Sequence, residues 1–315
     1  MHEQSVSATG RLTHEQPVIL VTGATGQVGF EAVRALQGLG TVIAVDRSRL
    51  DLGKLDQVRD LVRETKPALI VNAAAYTAVD RAESDAQAAQ LINAELPRVL
   101  AEETSRLDSL LLHYSTDYVF DGGKDGPYIE SDETNPLNVY GRTKLAGEHA
   151  IAAVGGKHLV FRTSWVYGTR GRNFMLTMLR LAKQAGAVLS VVDDQVGAPT
   201  WCRTIASITA HIAARYCLGG ADASWWTDRA GVYHLTAGGS TSWYGFAQAI
   251  FDVAEFEAIS VKPILSEAYP TPARRPENSR LSCDKLAETF GLRPPAWDEA
   301  LQLCLERDGK RGVGG

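Results

Sequence analysis

Residues 18–29 read VILVTGATGQVG. The first four form a short apolar run, mostly β-branched, that is typical of a buried strand, and apolar residues at helical spacing follow from Phe30. Glycines between a strand and a helix allow the sharp turn that a bound phosphate needs, and free N–H groups at the helix N-terminus meet its charge. The spacing GxxGxxG also suits a tight turn alone. The strand–loop–helix context favours nucleotide binding through Gly23, Gly26, Gln27, Val28 and Gly29.

The alternation of apolar strands and helical segments continues through the first half of the chain. Strand-like runs at 42–45, 68–72, 109–115 and 158–162 show no polar alternation, and segments with helical spacing, among them 85–103 and 139–154, separate them. This pattern is typical of a parallel sheet that is covered on both faces. The sequence therefore predicts an α/β fold with a doubly wound, Rossmann-like parallel sheet.

The regular alternation of strands and helices becomes less clear in the second half of the chain, which indicates a separate smaller lobe. The predicted organisation is, in chain order, a flexible N-terminal extension at 1–16, a dinucleotide-binding domain at 17–168 that parts of 202–256 rejoin, a C-terminal lobe at 169–308 that mainly binds substrate, and a tail at 309–315.

Composition excludes several classes of protein. The 315 residues are 45% hydrophobic and 22% charged, which is ordinary globular usage rather than a disordered or coiled-coil composition. The net charge of -5 argues against a nucleic-acid partner, and no apolar run approaches the ~18 residues of a membrane span. Four widely spaced cysteines without a CxxC pair indicate free thiols, no structural zinc and a cytoplasmic location.

Candidate cofactor residues follow the second and third predicted strands. Asp46 ends the second strand, where a carboxylate binds an adenosine ribose, whereas the adjacent Arg47 suits a ribose 2′-phosphate. We therefore expect use of both NADPH and NADH. Asp51 and Leu52 are expected beside the adenine, and the small residues Ala73, Ala74 and Ala75 allow close approach of the cofactor.

A candidate catalytic pair lies further along the chain. Tyr140 and Lys144 are four residues apart in a predicted helix and share one face. A free phenol has a pKa of about 10, and a neighbouring ammonium stabilises its anion. The hydroxyl of Thr116 follows an apolar strand and would emerge near Tyr140 at the carboxyl edge of the sheet. His113, His149 and His234 lack metal-ligand spacing and are expected to be structural, and no metal ligands are predicted.

Several segments together carry a family resemblance. The glycine loop, the Thr116, Tyr140 and Lys144 set, and the run NAAA at 72–75 resemble the extended short-chain dehydrogenase/reductase superfamily. Within it, four further segments resemble the dTDP-4-dehydrorhamnose reductase family: STDYVFDG at 115–122, RTSWVYG at 162–168, DDQVGAPT at 193–200 and RPENSRL at 275–281.

The resemblance implies reduction of the 4-keto group of dTDP-6-deoxy-L-lyxo-4-hexulose to dTDP-L-rhamnose, with hydride from NADPH or NADH. It implies that Tyr140 protonates the new alkoxide, that Lys144 holds the cofactor ribose and lowers the Tyr140 pKa, and that Thr116 bonds the oxygen. By position, Ala75, Tyr76, Thr77 and Tyr114 match residues that line the cofactor. The expected substrate-binding residues are Thr116, Asp117, Trp165 and Arg275, the last as a partner of the diphosphate. Mg²⁺ is implied by resemblance to some relatives only.

Two alternatives remain open from the sequence. Epimerases and 4,6-dehydratases of nucleotide sugars belong to the same superfamily, although Tyr118 stands where the dehydratases have a Glu that removes a proton. The regulatory subunit of methionine adenosyltransferase also resembles these reductases and acts as a binding partner. The expected partners are a nucleotide-sugar substrate and, at most, a second copy of the chain in a homodimer, with no nucleic acid and no membrane.

Overall fold

The structure, a computed structural model, describes residues 16–184, 188–220, 222–256 and 259–306. Of the predicted N-terminal extension only residue 16 is described, and the predicted tail at 309–315 lies outside the described residues.

Six of the strands in the described residues form one central sheet. All the strands are, in chain order, β1 (Val18–Thr22), β2 (Thr41–Val45), β3 (Leu69–Asn72), β4 (Leu110–Thr116), β5 (His158–Thr163), β6 (Val166–Tyr167), β7 (Val188–Val192), β8 (Val196–Gly197), β9 (Thr200–Trp201), β10 (Gly231–His234), β11 (Thr241–Ser242), β12 (Ser260–Ile264) and β13 (Asn278–Ser279). The central sheet is parallel throughout, in the order β2–β1–β3–β4–β5–β10. The strand order reverses between β1 and β3, where such sheets bind ligands at their carboxyl ends.

Helices cover both faces of this sheet. The helices of the described residues are, in chain order, α1 (Gln27–Ala35), α2 (Leu55–Thr65), α3 (Val79–Ala82), α4 (Ala86–Gln90), α5 (Leu96–Arg106), α6 (Val139–Val154), α7 (Phe174–Leu181), α8 (Cys202–Cys217), α9 (Ala223–Asp228), α10 (Trp243–Val253), α11 (Asp284–Phe290) and α12 (Trp297–Leu305). Adjacent residues of β1 show why the strand carries no polar alternation. Ile19 and Val21 pack in the cluster with α1 and α8, and Leu20 packs in the cluster with α2 and α5. The predicted doubly wound parallel sheet is confirmed.

A third hydrophobic cluster lies outside the sheet. Helices α7, α10 and α12 bury Met175, Phe246 and Leu301 against one another. Strands β7 and β12 form a parallel pair beside them, whereas α8 and β10 return to the central sheet. Within the described residues, no helix combines the length and apolarity that a membrane crossing requires.

The structure differs from the prediction in its shorter elements. The helix expected at 85–103 is divided into α4, a π-helical turn at Leu91–Glu95 and α5. The turn brings the buried amide of Asn93 to the backbone of Tyr76 and to Thr143. Such π-helical turns frequently occur at functional sites.

Candidate active site

The glycine loop joins β1 to α1 as a tight turn against the end of β3. Gly23 has φ of 67°, and a Cβ atom there would lie 2.7 Å from the carbonyl carbon of Ala73. A Cβ atom on Gly29 would lie 2.2 Å from the carbonyl oxygen of Gly23. Gly26 is the N-cap of α1 and offers no side-chain cap. The first N–H groups of α1 therefore remain available to a phosphate group, so the loop fits the pyrophosphate of a dinucleotide.

Gln27 of the same loop reaches the second lobe. Its side chain donates to the carbonyl oxygen of Val166 (3.3 Å) and accepts from Asn173 (2.8 Å). Val28 is half-buried against the cluster formed by the sheet and α1. Gln27 therefore joins the loop to the lobe through its side chain, and its backbone N–H stays at the helix N-terminus.

Asp46 and its neighbours lie at the carboxyl end of β2. One carboxylate oxygen of Asp46 accepts from the hydroxyl (2.5 Å) and the backbone N–H (2.9 Å) of Ser48, and these bonds lower the pKa of Asp46. Arg47 is exposed beside it. Asp51 accepts from the N–H of Gly53 (3.0 Å), and Leu52 packs against the sheet. The carboxyl end of β2 therefore carries the carboxylate of Asp46 and the guanidinium of Arg47 side by side.

The segment after β3 is held by side-chain amides. Asn93 bonds the N–H (2.9 Å) and the carbonyl oxygen (3.2 Å) of Tyr76, and the Tyr76 hydroxyl donates to Asp85 (2.9 Å). Ala73 and Ala75 are half-buried, Ala74 is buried, and Thr77 is exposed. The structure thus places this run beside the glycine loop, and Asn93, which the sequence analysis missed, fixes its backbone.

Thr116, Tyr140 and Asp117 meet at the carboxyl end of β4. The Thr116 hydroxyl donates to Asp117 (2.9 Å) and accepts from the N–H of Tyr118 (3.2 Å). Burial first and the charge of Asp117 second raise the pKa of Tyr140 to about 12, against a hydrogen bond with Thr116 that lowers it. The resemblance implied the opposite shift, a lowering by Lys144. Burial is the largest effect on the Tyr140 pKa in this structure, so the phenol is a protonated acid at neutral pH, and a lowering by Lys144 stays a prediction.

Lys144 is only 1% exposed. Its ammonium nitrogen lies 2.5 Å from the carbonyl oxygen of Tyr114 and 3.2 Å from Nε2 of His113. Burial lowers the pKa of Lys144 to about 8, and the charge of Glu148 opposes this. Glu148 lies one turn further along α6 and forms a buried ion pair (2.7 Å) with Arg162 of β5. The pair anchors the helix that carries Tyr140 and Lys144.

Tyr114 and Trp165 are placed differently from what the resemblance suggested. The side chain of Tyr114 lies in the core, where its hydroxyl bonds Thr209 of α8 (2.8 Å). The Trp165 ring stacks on Trp243 with centroids 3.6 Å apart, and a Cβ atom on Gly197 would lie 2.6 Å from Cε2 of Trp165. Trp165 also has φ of 47°, a left-handed conformation that costs a non-glycine residue on the order of 1–3 kcal/mol. Trp243 covers one face of the half-buried Trp165 ring and also lines a large cavity.

Polar atoms without protein partners face the end of the sheet. In the part of the chain that the structure describes, these buried atoms include Oδ2 of Asp117 and the hydroxyls of Thr163 and Ser164. Burial raises the pKa of Asp117 to about 6, and hydrogen bonds with Ser279 and Thr116 oppose the shift. Buried polar groups require partners, so this set is suited to the hydroxyls of a ligand. The sequence analysis missed Thr163 and Ser164, although both belong to the RTSWVYG segment.

A cavity of about 940 Å³ adjoins these groups, lined in part by Phe174, Met178, Gln195, Trp243, Arg274 and Arg275. Arg275 is paired with Asp80 (2.8 Å) and hydrogen-bonded to Tyr118. Arg274 is exposed, and its carbonyl oxygen is held by Asn138, the N-cap of α6. The Tyr118 ring stands edge-on to Tyr140 at 5.8 Å. Arg275 therefore connects the lining of the cavity to Tyr140 through Tyr118, and Arg274 is the more exposed of the two guanidinium groups.

A glycine loop that opens on a Tyr–Lys pair at the edge of a doubly wound sheet defines an extended short-chain dehydrogenase/reductase. Residues 17–309 match the family model for the RmlD substrate binding domain. The chain belongs to the dTDP-4-dehydrorhamnose reductase family. The reductase of that name from Burkholderia thailandensis is 51% identical, covering 91% of this chain and 97% of the relative. That from Escherichia coli K12 is 47% identical, covering 91% and 96%.

Solved structures agree with this assignment. A dTDP-4-dehydrorhamnose reductase from Bacillus anthracis, in complex with NADP, has a TM-score of 0.84 at 33% identity and covers 92% of this chain and 98% of its own. A Clostridium acetobutylicum orthologue has a TM-score of 0.84 at 37% identity, covering 91% and 98%. A Thermus thermophilus UDP-glucose 4-epimerase at 22% identity and a TM-score of 0.73, covering 91% and 97%, shares the fold. The predicted family, and with it an NAD(P)H-dependent oxidoreductase, is confirmed.

Across residues 16–184, 188–220, 222–256 and 259–306, no group of three or more His, Cys, Asp or Glu side chains is arranged to hold a metal ion.

Proposed function

We propose that this chain reduces the 4-keto group of dTDP-6-deoxy-L-lyxo-4-hexulose (dTDP-4-dehydro-L-rhamnose) to dTDP-L-rhamnose with NADPH or NADH. One observation carries the proposal: the protonated phenol of Tyr140 contacts Thr116 at the sheet edge that the glycine loop shares. A reduced nicotinamide, when bound, supplies the hydride that adds to the ketone carbon. The protein must then bind the substrate, orient its ketone and protonate the oxygen that forms.

The proton comes from Tyr140. The ketone oxygen accepts from Tyr140 and from the Thr116 hydroxyl, which turns its proton away from Asp117 when substrate binds. The Tyr140 proton then passes to that oxygen as it becomes an alkoxide. A phenol whose pKa stays near 12 is fully protonated at the start, which suits a donor. Lys144, one helical turn away and mostly protonated at pH 7, stabilises the tyrosinate that remains.

Substrate binding is assigned to the cavity and the buried polar atoms. Arg274 and Arg275 face the diphosphate, and the rings of Phe174 and Trp243 provide an apolar site for the base. Asp117 bonds a sugar hydroxyl through its unpartnered oxygen. In this assignment Trp165 stacks on Trp243 and supports its ring, and the contact of Trp165 with the sugar stays a prediction.

Dual use of the cofactors is assigned to Asp46 and Arg47. Asp46 bonds the ribose hydroxyls of NADH, and Arg47 pairs with the 2′-phosphate of NADPH. Replacing Arg47 by Ala should lower kcat/KM for NADPH by about tenfold, the effect of one lost charge-assisted bond, and leave NADH nearly unchanged. An equal loss with both cofactors would contradict the assignment.

A base-catalysed dehydration is disfavoured by Tyr118. Burial and the charge of Asp117 raise the pKa of the Tyr118 phenol, so it holds its proton at neutral pH and cannot act as the base. The four cysteines are free, two of them buried, which fits the reducing cytoplasm where we place the protein, as a monomer or homodimer.

The test is an assay with the 4-keto-6-deoxy sugar nucleotide. Stoichiometric loss of NADPH absorbance, with an L-rhamno configuration at C4 of the product by NMR, is expected. Tyr140→Phe serves as the matched control, since it removes one hydroxyl. Cofactor recycled without net consumption would indicate an epimerase or dehydratase. Absence of turnover together with copurification of a methionine adenosyltransferase would favour the regulatory alternative.

A further inference from the structure

A buried chain of hydrogen bonds runs from the glycine-loop strand to the catalytic lysine. The Thr22 hydroxyl donates to Oδ1 of Asn72 (2.7 Å), and Nδ2 of Asn72 lies 2.9 Å from Nδ1 of His113. Nε2 of His113 lies 3.2 Å from Nζ of Lys144. None of these four residues is more than 1% exposed. The chain crosses the carboxyl ends of β1, β3 and β4, and the proposed mechanism does not account for it.

The direction of these bonds is fixed at Asn72. The backbone N–H of Ala74 lies 3.3 Å from the same side-chain atom of Asn72, and an N–H can only donate. That atom is therefore the amide oxygen, and the amide nitrogen donates to Nδ1 of His113. A neutral imidazole has one N–H, so the His113 proton sits on Nε2 and faces Lys144.

An imidazolium is not an alternative at this position. Burial first, and the charge of Lys144 second, hold the pKa of His113 well below its ordinary value. The Nε2–H group can bond only to a lone pair, and Nζ of Lys144 has one only as the neutral amine. In that form Lys144 still donates to the carbonyl oxygen of Tyr114.

We propose that His113 is a positioning residue whose Nε2–H tautomer, set by Asn72, holds Lys144 at the carbonyl oxygen of Tyr114 and favours its neutral amine, so that Lys144 changes charge close to neutral pH. The proposal deepens the proposed function and rests on it for the role of Lys144. The tautomer and the lysine titration are properties of the chain alone.

Other charged groups act on Lys144 as well. Glu148, on the same helix, favours the ammonium, but its carboxylate is engaged by Arg162 of β5 and by the hydroxyl of Ser115. Burial of Lys144 outweighs Glu148 and lowers the Lys144 pKa to about 8. The N–H dipole of His113 acts in the same direction as burial.

The remaining elements packed on α6 hold their charged groups elsewhere. Helix α4 carries no charged residue, and Glu102 and Glu103 of α5 pair with Arg59 of α2. The 3-10 turn after β4 contributes Asp117, whose charge acts on Tyr140. The π-helical turn meets α6 through the neutral Asn93, and Glu83, after α3, accepts from the N–H of Val139 at the start of the helix. The imidazole is thus the group that discriminates between the two charge states of Lys144 at contact distance.

The experiment uses the full chain without cofactor, labelled with ¹⁵N in histidine and ¹³C in lysine. We expect the ¹⁵N shifts of His113 to show the Nε2–H tautomer from pH 6 to 9. The Lys144 side chain should titrate about two pH units below an ordinary lysine. An Nδ1–H tautomer in the unsubstituted protein, or a Lys144 titration near the ordinary value of about 10.4, would overturn the proposal.

Variants separate the tautomer from general packing. Asn72→Asp presents only acceptors to His113, so the proton should move to Nδ1 and Nε2 should then accept from Lys144. His113→Asn keeps a partner for Asn72 and removes the Nε2–H. Each variant should raise the pKa of Lys144 by about one unit, a tenfold change in proton binding. The alkaline limb of the kcat/KM profile should move by the same amount. His211→Asn, at an exposed histidine on α8, is the control and should leave both unchanged.

The outcomes distinguish this proposal from the proposed function. A folded His113→Asn protein with an unshifted Lys144 titration contradicts the role of His113, whatever the substrate. The expected NMR results without turnover of the keto sugar would contradict the proposed function alone. If His113→Asn fails to fold, the ¹⁵N shifts of His113 in the unsubstituted chain still test the proposal, because an Nδ1–H tautomer there would contradict it.

Discussion

Replacing Asp117 by Asn should make the protein more stable at neutral pH. Burial raises the folded-state pKa of Asp117 from 3.8 to about 6, because a carboxylate that is only 3% exposed loses its hydration. The folded chain therefore binds this proton more tightly than the unfolded chain. The stability that the neutral carboxyl provides is fully present below about pH 4 and is lost as the pH rises through about 6.

The magnitude follows from the difference between the two pKa values. About two units at 1.36 kcal/mol each give a penalty of at most about 3 kcal/mol above pH 6. The amide introduced by Asp117→Asn stays neutral at every pH and keeps an acceptor for Thr116, so the variant avoids this penalty. Urea unfolding of both proteins from pH 4 to 8 should show a free-energy difference near zero at pH 4 that grows to a plateau by pH 7.

A control of opposite sign is available at Asp121. Hydrogen bonds from the N–H of Gly123 and from Asn135 lower the pKa of Asp121. Asp121→Asn should therefore become less stable than the unsubstituted protein as the pH rises from 3. If Asp117→Asn is less stable than the unsubstituted protein at pH 7, or if its difference does not vary with pH, the burial argument is wrong. The variant should also bind the sugar less well, since it lacks the anionic oxygen.

Three further expectations follow from the site and its supports. Tyr140→Phe should lower kcat by about 10²–10⁴ with NADPH binding nearly unchanged, as measured by fluorescence titration; near-full kcat would exclude the phenol as proton donor. Gly29→Ala places a Cβ atom 2.2 Å from the carbonyl oxygen of Gly23, so calorimetry should show both a lower Tm and weaker NADPH binding. Normal cofactor affinity would mean that the loop can move to accommodate the added Cβ atom without losing its phosphate-binding shape. Glu148→Gln leaves the buried guanidinium of Arg162 without its counter-charge and should cost on the order of 3–5 kcal/mol of unfolding free energy in urea. A loss below about 1 kcal/mol would show that the pair does not anchor α6.

The regular elements were predictable because their determinants are local. Helix α6 is observed at Val139–Val154, as predicted, because Asn138 caps its first turn and Gly155 ends it. The two-residue strands were not predicted, since Val166–Tyr167 is extended only because it pairs with Thr200–Trp201 far along the chain. A strand of two residues carries no periodicity that a sequence could show.

The same contrast between local and long-range determinants holds for the candidate site. Thr116 is near Tyr140 because β4 ends at the edge of the sheet where α6 begins, which the sequence pattern already indicated. The partners of the charged groups were not predictable. Arg275 is paired with Asp80, 195 residues away, and that contact leaves Arg274 as the freer cation. His113 gave no sequence signal beyond its place in an apolar strand, since its role depends on Asn72 of a neighbouring strand.

The stacked indoles of Trp165 and Trp243 give the protein an intrinsic optical probe. Two nearly parallel rings 3.6 Å apart are close enough for their electronic transitions to couple, and this coupling produces a paired positive and negative band in circular dichroism when the ring axes are rotated relative to each other. Because Trp243 lines the cavity, a molecule that enters there and tilts the ring would weaken the couplet. Occupancy of the pocket can therefore be followed spectroscopically without a label, even in variants that carry out no chemistry.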